Sequence, residues 1–317
     1  MKSGSGPPTF GETAKRFTDP ETMDRPTTLP LLADLLRDRS LVVLTGAGVS
    51  TESGIPDYRG AGKHERVPMP IRYQEFVRSR EARSRYWARS AVGWPRMSSA
   101  RPNPGHLALA RLERAGVVRG IITQNVDGLH QAAGSRRVVE LHGTLSRVLC
   151  LECGAPEARS GVQDRLRGLN PGRLRPDRDA ELRPDGDAEL RPDGDADPGG
   201  ADLRAFHLPG CRRCGGVLKP DVVFFGENVP RSTVERAWRL FGEGEVLLVA
   251  GSSLTVYSGY RFVRRAAEQG KPVAIVNVGD TRGDPLAEVR VDGCTGEVLP
   301  RLAEALLGAV GGDRRTA

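Results

Sequence analysis

Residues 41–60, LVVLTGAGVSTESGIPDYRG, carry the decision about the fold. Leu41, Val42, Val43 and Leu44 run without a polar interruption and stop at Thr45-Gly46-Ala47-Gly48. A strand with one wet face would alternate apolar and polar residues, so this unbroken run predicts a strand buried on both faces, as in a parallel sheet. The small residues after it let the backbone come close to a phosphate, with the N–H groups of a following helix aimed at the same place. The G-x-G-x-x-G spacing is absent, because position 51 is Thr51, and a tight turn alone would also account for the glycines. The polar and charged residues continue through Ser50, Ile55-Pro56-Asp57, Tyr58 and Arg59, further than a turn requires.

The same grammar recurs outward from this stretch. Leucines at 31, 32, 35 and 36 mark a helical face before the strand. Residues 117–123 and 138–141 read as strands, the first preceded by a helical segment at 106–115. Val234, Ala237, Trp238 and Phe241 fall at i, i+3, i+4 and i+7, which predicts a helix over 232–242. Residues 246–250 and 273–276 are further aliphatic runs ending in Gly251-Ser252-Ser253 and Asn277-Val278-Gly279, and Val298, Leu299, Leu302 and Leu306 mark a last helix. Strands alternating with helices imply an α/β fold with a doubly wound, Rossmann-like parallel sheet. Strands that end in small polar residues are where such folds take ligands.

The chain has 317 residues, suggesting about two domains or one large domain with a small module. With 38% apolar residues and 39 glycines it can bury a core. Its longest aliphatic runs fall far short of the roughly 20 residues of a membrane span, and the N-terminal stretch lacks the apolar core of a secretory signal. A cytoplasmic protein is expected. The net charge is +7, but residues 174–197 hold three copies of an octapeptide (LRPDRDAE, LRPDGDAE, LRPDGDAD) with four arginines against nine acids, leaving +12 on the rest. Such a balance could attract nucleic acid, yet the arginines are scattered, so nucleic acid is not the expected partner. The repeat cannot bury a core and is expected to be a disordered surface loop.

That repeat lies between two cysteine pairs, Cys150-Leu-Glu-Cys153 and Cys211-Arg-Arg-Cys214, each followed by a glycine. Two C-x-x-C pairs resemble zinc knuckles, in which a turn aims two thiolates at one metal. Four thiolates leave no open coordination position, so the zinc would be structural. Two disulfides or a redox dithiol are the alternatives. The boundaries expected are a tail at 1–29, a dinucleotide-type domain at 30–146 and 217–308, a zinc-binding module at 147–216 containing the repeat, and a tail at 309–317.

Two more strand ends carry chemistry. Gln124, Asn125 and Asp127 place two amides and a carboxylate after the 117–123 strand, and His142 stands at the end of 138–141. A lone histidine is often structural, but this position favours a catalytic reading. Taken in order, GAGVSTESGIPDYRG, TQNVDGLH, ELHG, the paired C-x-x-C, LKPDVVFFGE, GSSL and VNVG resemble the sirtuin family of NAD-dependent protein deacylases, from about residue 31 to 307. YWAR at 86–89, VGWP at 92–95 and GSRR at 134–137 look like the class II branch, which includes the lipoamidase and ADP-ribosyltransferase type. Departures from the family pattern are Tyr58, Gly128, Ser258 where proline is common, and the octapeptide repeat.

The resemblance implies roles. Gly46, Ala47, Gly48, Ser50 and Thr51 would hold the NAD phosphates, with Ile55, Asp57, Tyr58 and Arg59 in the segment covering the nicotinamide ribose. Gln124, Asn125 and Asp127 would line the nicotinamide pocket, while Gly251, Ser252, Ser253, Asn277 and Gly279 contact phosphate and the adenosine ribose. Cys294 matches a position near the adenine, or is simply a small core residue. His142 would act as general base on a ribose hydroxyl after an acyl-lysine oxygen has displaced nicotinamide; such a base typically contributes about 10²–10⁴-fold. Asn125 would position a hydroxyl or water. Residues 219–227 would pair with a substrate peptide by β-augmentation, with Val223 and Phe224 lining the acyl-lysine tunnel, or would form an ordinary buried strand. The implied function is protein-lysine deacylation, with NAD consumed to give nicotinamide and O-acyl-ADP-ribose, by a monomer acting on acyl-lysine proteins. Protein mono-ADP-ribosylation is the alternative. A non-catalytic NAD- or nucleic-acid-binding zinc protein is more remote, since His142 and Asn125 are both present. Arg72 and Tyr73 are adjacent and would point apart, so no pair of side chains is expected to receive an acidic acyl chain.

Overall fold

The computed structural model describes residues 28–57, 70–172, 174, 194–196 and 205–308. The expected tails, apart from Thr28 and Leu29 at the start of the first helix, lie outside the described residues, as do Tyr58, Arg59 and most of the octapeptide repeat.

The elements are α1 (Thr28–Leu36), β1 (Leu41–Thr45), α2 (Tyr73–Arg78), α3 (Arg80–Ser99), α4 (Pro104–Arg114), β2 (Val118–Thr123), α5 (Leu129–Ala132), β3 (Val138–Glu140), β4 (Gly143–Cys150), β5 (Pro156–Ala158), α6 (Arg159–Leu169), β6 (Leu218–Val222), α7 (Arg231–Gly242), β7 (Val246–Ala250), α8 (Tyr257–Glu268), β8 (Val273–Asn277), β9 (Val289–Asp292) and α9 (Thr295–Gly308). Six strands form one all-parallel sheet in the order β3-β2-β1-β7-β8-β9. Renumbered within that sheet this is 3-2-1-4-5-6, the doubly wound order whose direction of winding reverses between β1 and β7.

Alternation along each strand explains why both faces are apolar. Leu41, Val43, Val246 and Leu248 pack under α1, α4 and α9 through Leu32, Leu109 and Leu302. Val42, Leu44, Leu247 and Val249 face α7 and α8 through Leu240, Phe241 and Phe262. Every residue of β1, β7 and β8 is buried, as the unbroken aliphatic runs require.

A second, three-stranded antiparallel sheet, β5-β4-β6, carries the cysteine pairs. Its core joins Val148, Val162, Leu166, Phe206 and Leu218 to Phe76, Tyr86 and Trp87 of α2 and α3, so its packing draws on residues well before position 147. The octapeptide repeat differs from expectation at its end. Gly194 packs against Met97 and Leu145, the Ala196 N–H donates to the Arg89 carbonyl at 3.2 Å, and Asp195 and Ala196 are buried. These three residues are therefore not a free loop: small residues at Gly194 and Ala196 let the chain lie flat on α3. Among the described residues no helix is long and apolar enough to cross a membrane.

Candidate active site and metal centre

The C-terminal ends of β1, β2, β3 and β7 converge at the switch point, and one hydrogen-bonded chain runs across them. The Gly48 N–H donates to the Gly251 carbonyl at 2.9 Å, and the Gly46 N–H to the Ala250 carbonyl at 3.3 Å. A Cβ on Gly46 would stand 2.8 Å from that of Ser252, and one on Gly251 would run into the Val49 nitrogen and reach 2.6 Å from the Gly48 carbonyl carbon. Gly251 also has φ +61°, a left-handed conformation that side chains resist. These glycines are small because two loops press together, which sets a backbone floor beneath the cleft.

On that floor the polar residues interlock. Asn125 donates through Nδ2 to the Gly46 carbonyl and to Ser50 Oγ, both at 3.0 Å. Ser50 Oγ donates to Asp127 Oδ2 at 2.7 Å, while Asp127 Oδ1 accepts the Leu129 N–H at 2.9 Å. Asp127 thus caps the short helix α5 and fixes Ser50 with its other oxygen. Gln124 turns away from this group: its Oε1 accepts from Ser252 Oγ at 2.7 Å, and its side chain packs so closely on Gly259 that a Cβ there would come within 2.8 Å. Gln124 therefore ties the ends of β2 and β7 to α8.

The Gln124 carbonyl also holds the candidate base. His142 Nδ1 lies 2.9 Å from it and Nε2 lies 2.8 Å from Ser258 Oγ. A carbonyl only accepts, so Nδ1 carries the hydrogen and the neutral ring keeps its lone pair on Nε2. Burial lowers the His142 pKa below its usual value; the Gln124 bond opposes this and the Arg261 cation adds to it. The ring is thus held neutral. On its other side the His142 carbonyl accepts the Val223 N–H at 2.8 Å, bringing the end of the edge strand β6 beside the histidine.

Of the other expected residues, Thr51 donates to the Gly48 carbonyl, and Ile55 is buried with Met97, Leu129 and Leu145. Ala47 and Asp57 flank this loop, half-buried. Asn277 spends its amide on the Val278 and Gly279 carbonyls, and Ser253 follows β7, its hydroxyl 3.2 Å from that of Thr255, while Cys294 follows β9. Cys294 is exposed and its carbonyl caps α9, which is not the position of a core residue. Phe224 is 8% exposed and packs edge-on against Phe76 at 5.2 Å, in a cluster with Tyr86, while its neighbour Phe225 is exposed.

Sequence reasoning missed the layer beneath. Thr45 Oγ1 donates to Thr123 Oγ1 at 2.8 Å, so it must accept from His130 Nε2 at 2.9 Å. His130 is fully buried, its Nδ1 has no partner, and its ring lies 4.9 Å from that of His106, itself fully buried. Burial, with His106 adding to it, lowers the His130 pKa to about 3. Asn103 caps α4 through the Gly105 and His106 amides and donates to the Val49 carbonyl at 2.8 Å. The Asn-Pro pair at a helix start, Asn103-Pro104, is a signal that could have found it.

The four cysteines meet as expected. Their sulfurs all lie within 4.8 Å of one another, with Cys150 and Cys214 at 3.5 Å and Cys153 and Cys211 at 3.7 Å. A tetrahedral zinc at about 2.3 Å from each thiolate needs edges of about 3.8 Å, so the donor set and its spacing fit one structural zinc. Gly154 and Gly215, at φ +67° and +75°, close the two knuckles, and the Arg213 and Cys214 amides help hold the Cys211 thiol down at about 7.

A parallel sheet open at its switch point, a polar row along its strand ends and a thiolate zinc site define a dinucleotide-binding α/β protein of the zinc-containing kind. A model of the Sir2 family matches residues 46–258, and the chain belongs to that family. It is 52% identical over 277 residues to NAD-dependent protein deacetylase 1 of Mycobacterium avium, covering 87% of this chain and 95% of that one. It is 49% identical over 271 residues to the mitochondrial NAD-dependent protein lipoamidase sirtuin-4 of Homo sapiens, covering 83% and 81%. A solved chain described as "Sir2-p53 peptide-NAD+" superposes with a TM-score of 0.67 at 30% identity, covering 89% of this chain and 99% of that one.

Proposed function

We propose that this chain is an NAD-dependent protein-lysine deacylase in which His142 is the general base. The observation that carries this reading is the His142 ring, fixed by the Gln124 carbonyl with its lone pair on Nε2, at the sheet's switch point and bonded through its own carbonyl to the end of β6. The names of the relatives, deacetylases and a lipoamidase, support the reaction class.

Bound NAD supplies a nicotinamide leaving group and ribose hydroxyls. The glycine floor, the half-buried Asn125 amide and the buried hydroxyls of Ser50 and Ser252 suit a dinucleotide, and Gly279, Asn277, Ser253 and Cys294 continue the row toward its adenosine end. Asn125 orients a hydroxyl or water, held in place by Ser50 and, through it, Asp127. His142 Nε2 takes a proton from a ribose hydroxyl. The substrate peptide adds to the free edge of β6, with Val223 beside the acyl-lysine and Phe224 as part of the packed floor beneath it. Zinc, bound by Cys150, Cys153, Cys211 and Cys214, holds the smaller sheet together and takes no part in chemistry. The working boundaries remain 30–146 with 217–308 for the larger unit and 147–216 for the zinc module, and the setting proposed is a cytoplasmic monomer.

We further propose a preference for uncharged acyl groups, because the cluster of Ile55, Met97, Leu129 and Leu145, with Val126 and Val222 against it, is apolar. The test is nicotinamide release with acetyl-, succinyl-, lipoyl- and myristoyl-lysine peptides, for wild type and His142→Ala. Turnover of uncharged acyl peptides by wild type only is the expected result. Exclusive desuccinylation overturns the preference, ADP-ribose attached to protein without deacylation overturns the reaction, and an undiminished His142→Ala overturns the base.

A further inference from the structure

The hydrogen bond from Ser258 to His142 occupies the one nitrogen the base must use. Ser258 is the second residue of α8, and its hydroxyl sits 2.8 Å from His142 Nε2. Since Nδ1–H is committed to the Gln124 carbonyl, the Nε2 lone pair accepts from the serine O–H. The ring is therefore gripped from two sides, by a carbonyl on the β2 end and a hydroxyl on α8. A single bond to Gln124 would leave it free to swing about that contact.

We propose that Ser258 is a positioning residue for the base, holding Nε2 unprotonated and correctly aimed in the ligand-free enzyme and then stabilising the charged ring. The inference rests on His142 being the general base. Hydroxyl chemistry makes both halves possible. A ribose O–H arriving at Nε2 replaces one O–H···N bond by another, so the exchange strands no buried lone pair. Once the ribose proton has moved to Nε2, the ring needs an acceptor there. The serine oxygen then turns from donor to acceptor without gaining or losing a proton. The α8 backbone keeps it in reach: Gly259 is wedged against Gln124, and Arg261 Nε donates to the Ser258 carbonyl at 3.1 Å. Alanine at 258 would leave the helix intact but remove the second grip.

The experiment uses the zinc-loaded full chain as wild type, Ser258→Ala and Ser258→Thr. The first readout is the ¹⁵N ring spectrum of His142, assigned by loss of its signals in His142→Ala, together with the rate at which diethyl pyrocarbonate acylates it without NAD. Wild type should show the Nδ1–H tautomer with a hydrogen-bonded Nε2 and slow acylation. Ser258→Ala should shift the Nε2 resonance and raise the acylation rate several-fold, and Ser258→Thr should resemble wild type. In turnover, Ser258→Ala should lose about tenfold in kcat with the KM for NAD within about twofold, and Ser258→Thr should recover most of the loss, on the scale of one hydrogen bond to a charged group. An unchanged ring spectrum and acylation rate in Ser258→Ala overturns the contact, and an unchanged kcat overturns its role. If instead His142→Ala stays active while Ser258→Ala still alters the ring, the assignment of the base is what has failed.

Discussion

His130 should make this protein sensitive to mild acid by an amount that can be worked out. Its Nε2–H is donated to Thr45, and protonation would place a second N–H on Nδ1, which is buried and unpartnered in a ring 4.9 Å from that of His106. The folded pKa is accordingly about 3, against the ordinary 6.5. Between those values the unfolded chain binds a proton that the folded chain refuses, so stability is whole above about pH 6.5 and drains as the pH falls towards 3. At pH 5 the gap is about 1.5 units, or about 2 kcal/mol; below pH 3 it would reach about 5 kcal/mol. His106, lowered by burial against the opposing pull of Asp127, adds in the same direction. The perturbation is His130→Gln, whose amide can still donate to Thr45 but does not titrate. Urea unfolding of zinc-loaded wild type and variant is compared at pH 7.5 and 5.0. The variant starts less stable, but between the two pH values it should lose about 2 kcal/mol less than wild type. Thiolate protonation at the zinc site is common to both proteins and cancels in that difference. Equal losses in the two proteins would refute the reasoning.

Three further outcomes follow from the same geometry. Gly251→Ala puts a methyl into the Val49 nitrogen at a left-handed φ, and should cost about 3 kcal/mol in chemical denaturation and weaken NAD binding measured by calorimetry; wild-type values for both would show that the loops need not touch. Arg261→Met removes the cation that helps keep His142 neutral, so the acid limb of kcat/KM against pH should move to higher pH; a limb that stays or moves lower would contradict the assignment of its cause. Cys211→Ser should abolish the one zinc per chain found by elemental analysis and expose the amides of β4, β5 and β6 to hydrogen exchange, since binding of this kind is worth about 10–16 kcal/mol; retained protection without metal would refute a structural zinc.

The sheet was legible because burial on both faces leaves a mark in sequence. Residues 246–250 were delimited to the residue, and 41–44, 117–123, 138–141 and 273–276 to within one residue at either end. The zinc site was legible because a thiolate turn has a fixed spacing. The helices α2 and α3 were not, since the buried residues of α3 mix Tyr86, Trp87 and Ala88 with Ser84 and Ser90 and are interrupted along the chain by arginines, and Pro95 sits inside α3. β4 was hidden for another reason: it belongs to a small sheet whose core is completed by those helices, and its own burial alternates irregularly, while β6 fell within the extended stretch read at 219–227. The third repeat looked soluble by composition, yet Gly194 and Ala196 find a place on α3 that no periodicity announces.

At the site the same contrast separates residue type from residue use. A motif says that Gln124 is present; only the fold shows that its side chain braces α8 while its carbonyl, which any residue would possess, selects the tautomer of His142. Likewise the glycines at 46, 48 and 251 look in sequence like a phosphate loop, while their spacing in the fold is demanded first by two loops in contact. The two demands are compatible, because a floor built of backbone against backbone is also one a dinucleotide can lie upon. Three histidines then divide the strand ends by depth: His106 and His130 are sealed below the floor and must stay neutral for the fold to hold, while His142, half-buried above it, keeps one nitrogen within reach of a hydroxyl. What makes His142 the better base is therefore its position in that stack, and the residue type alone does not supply it.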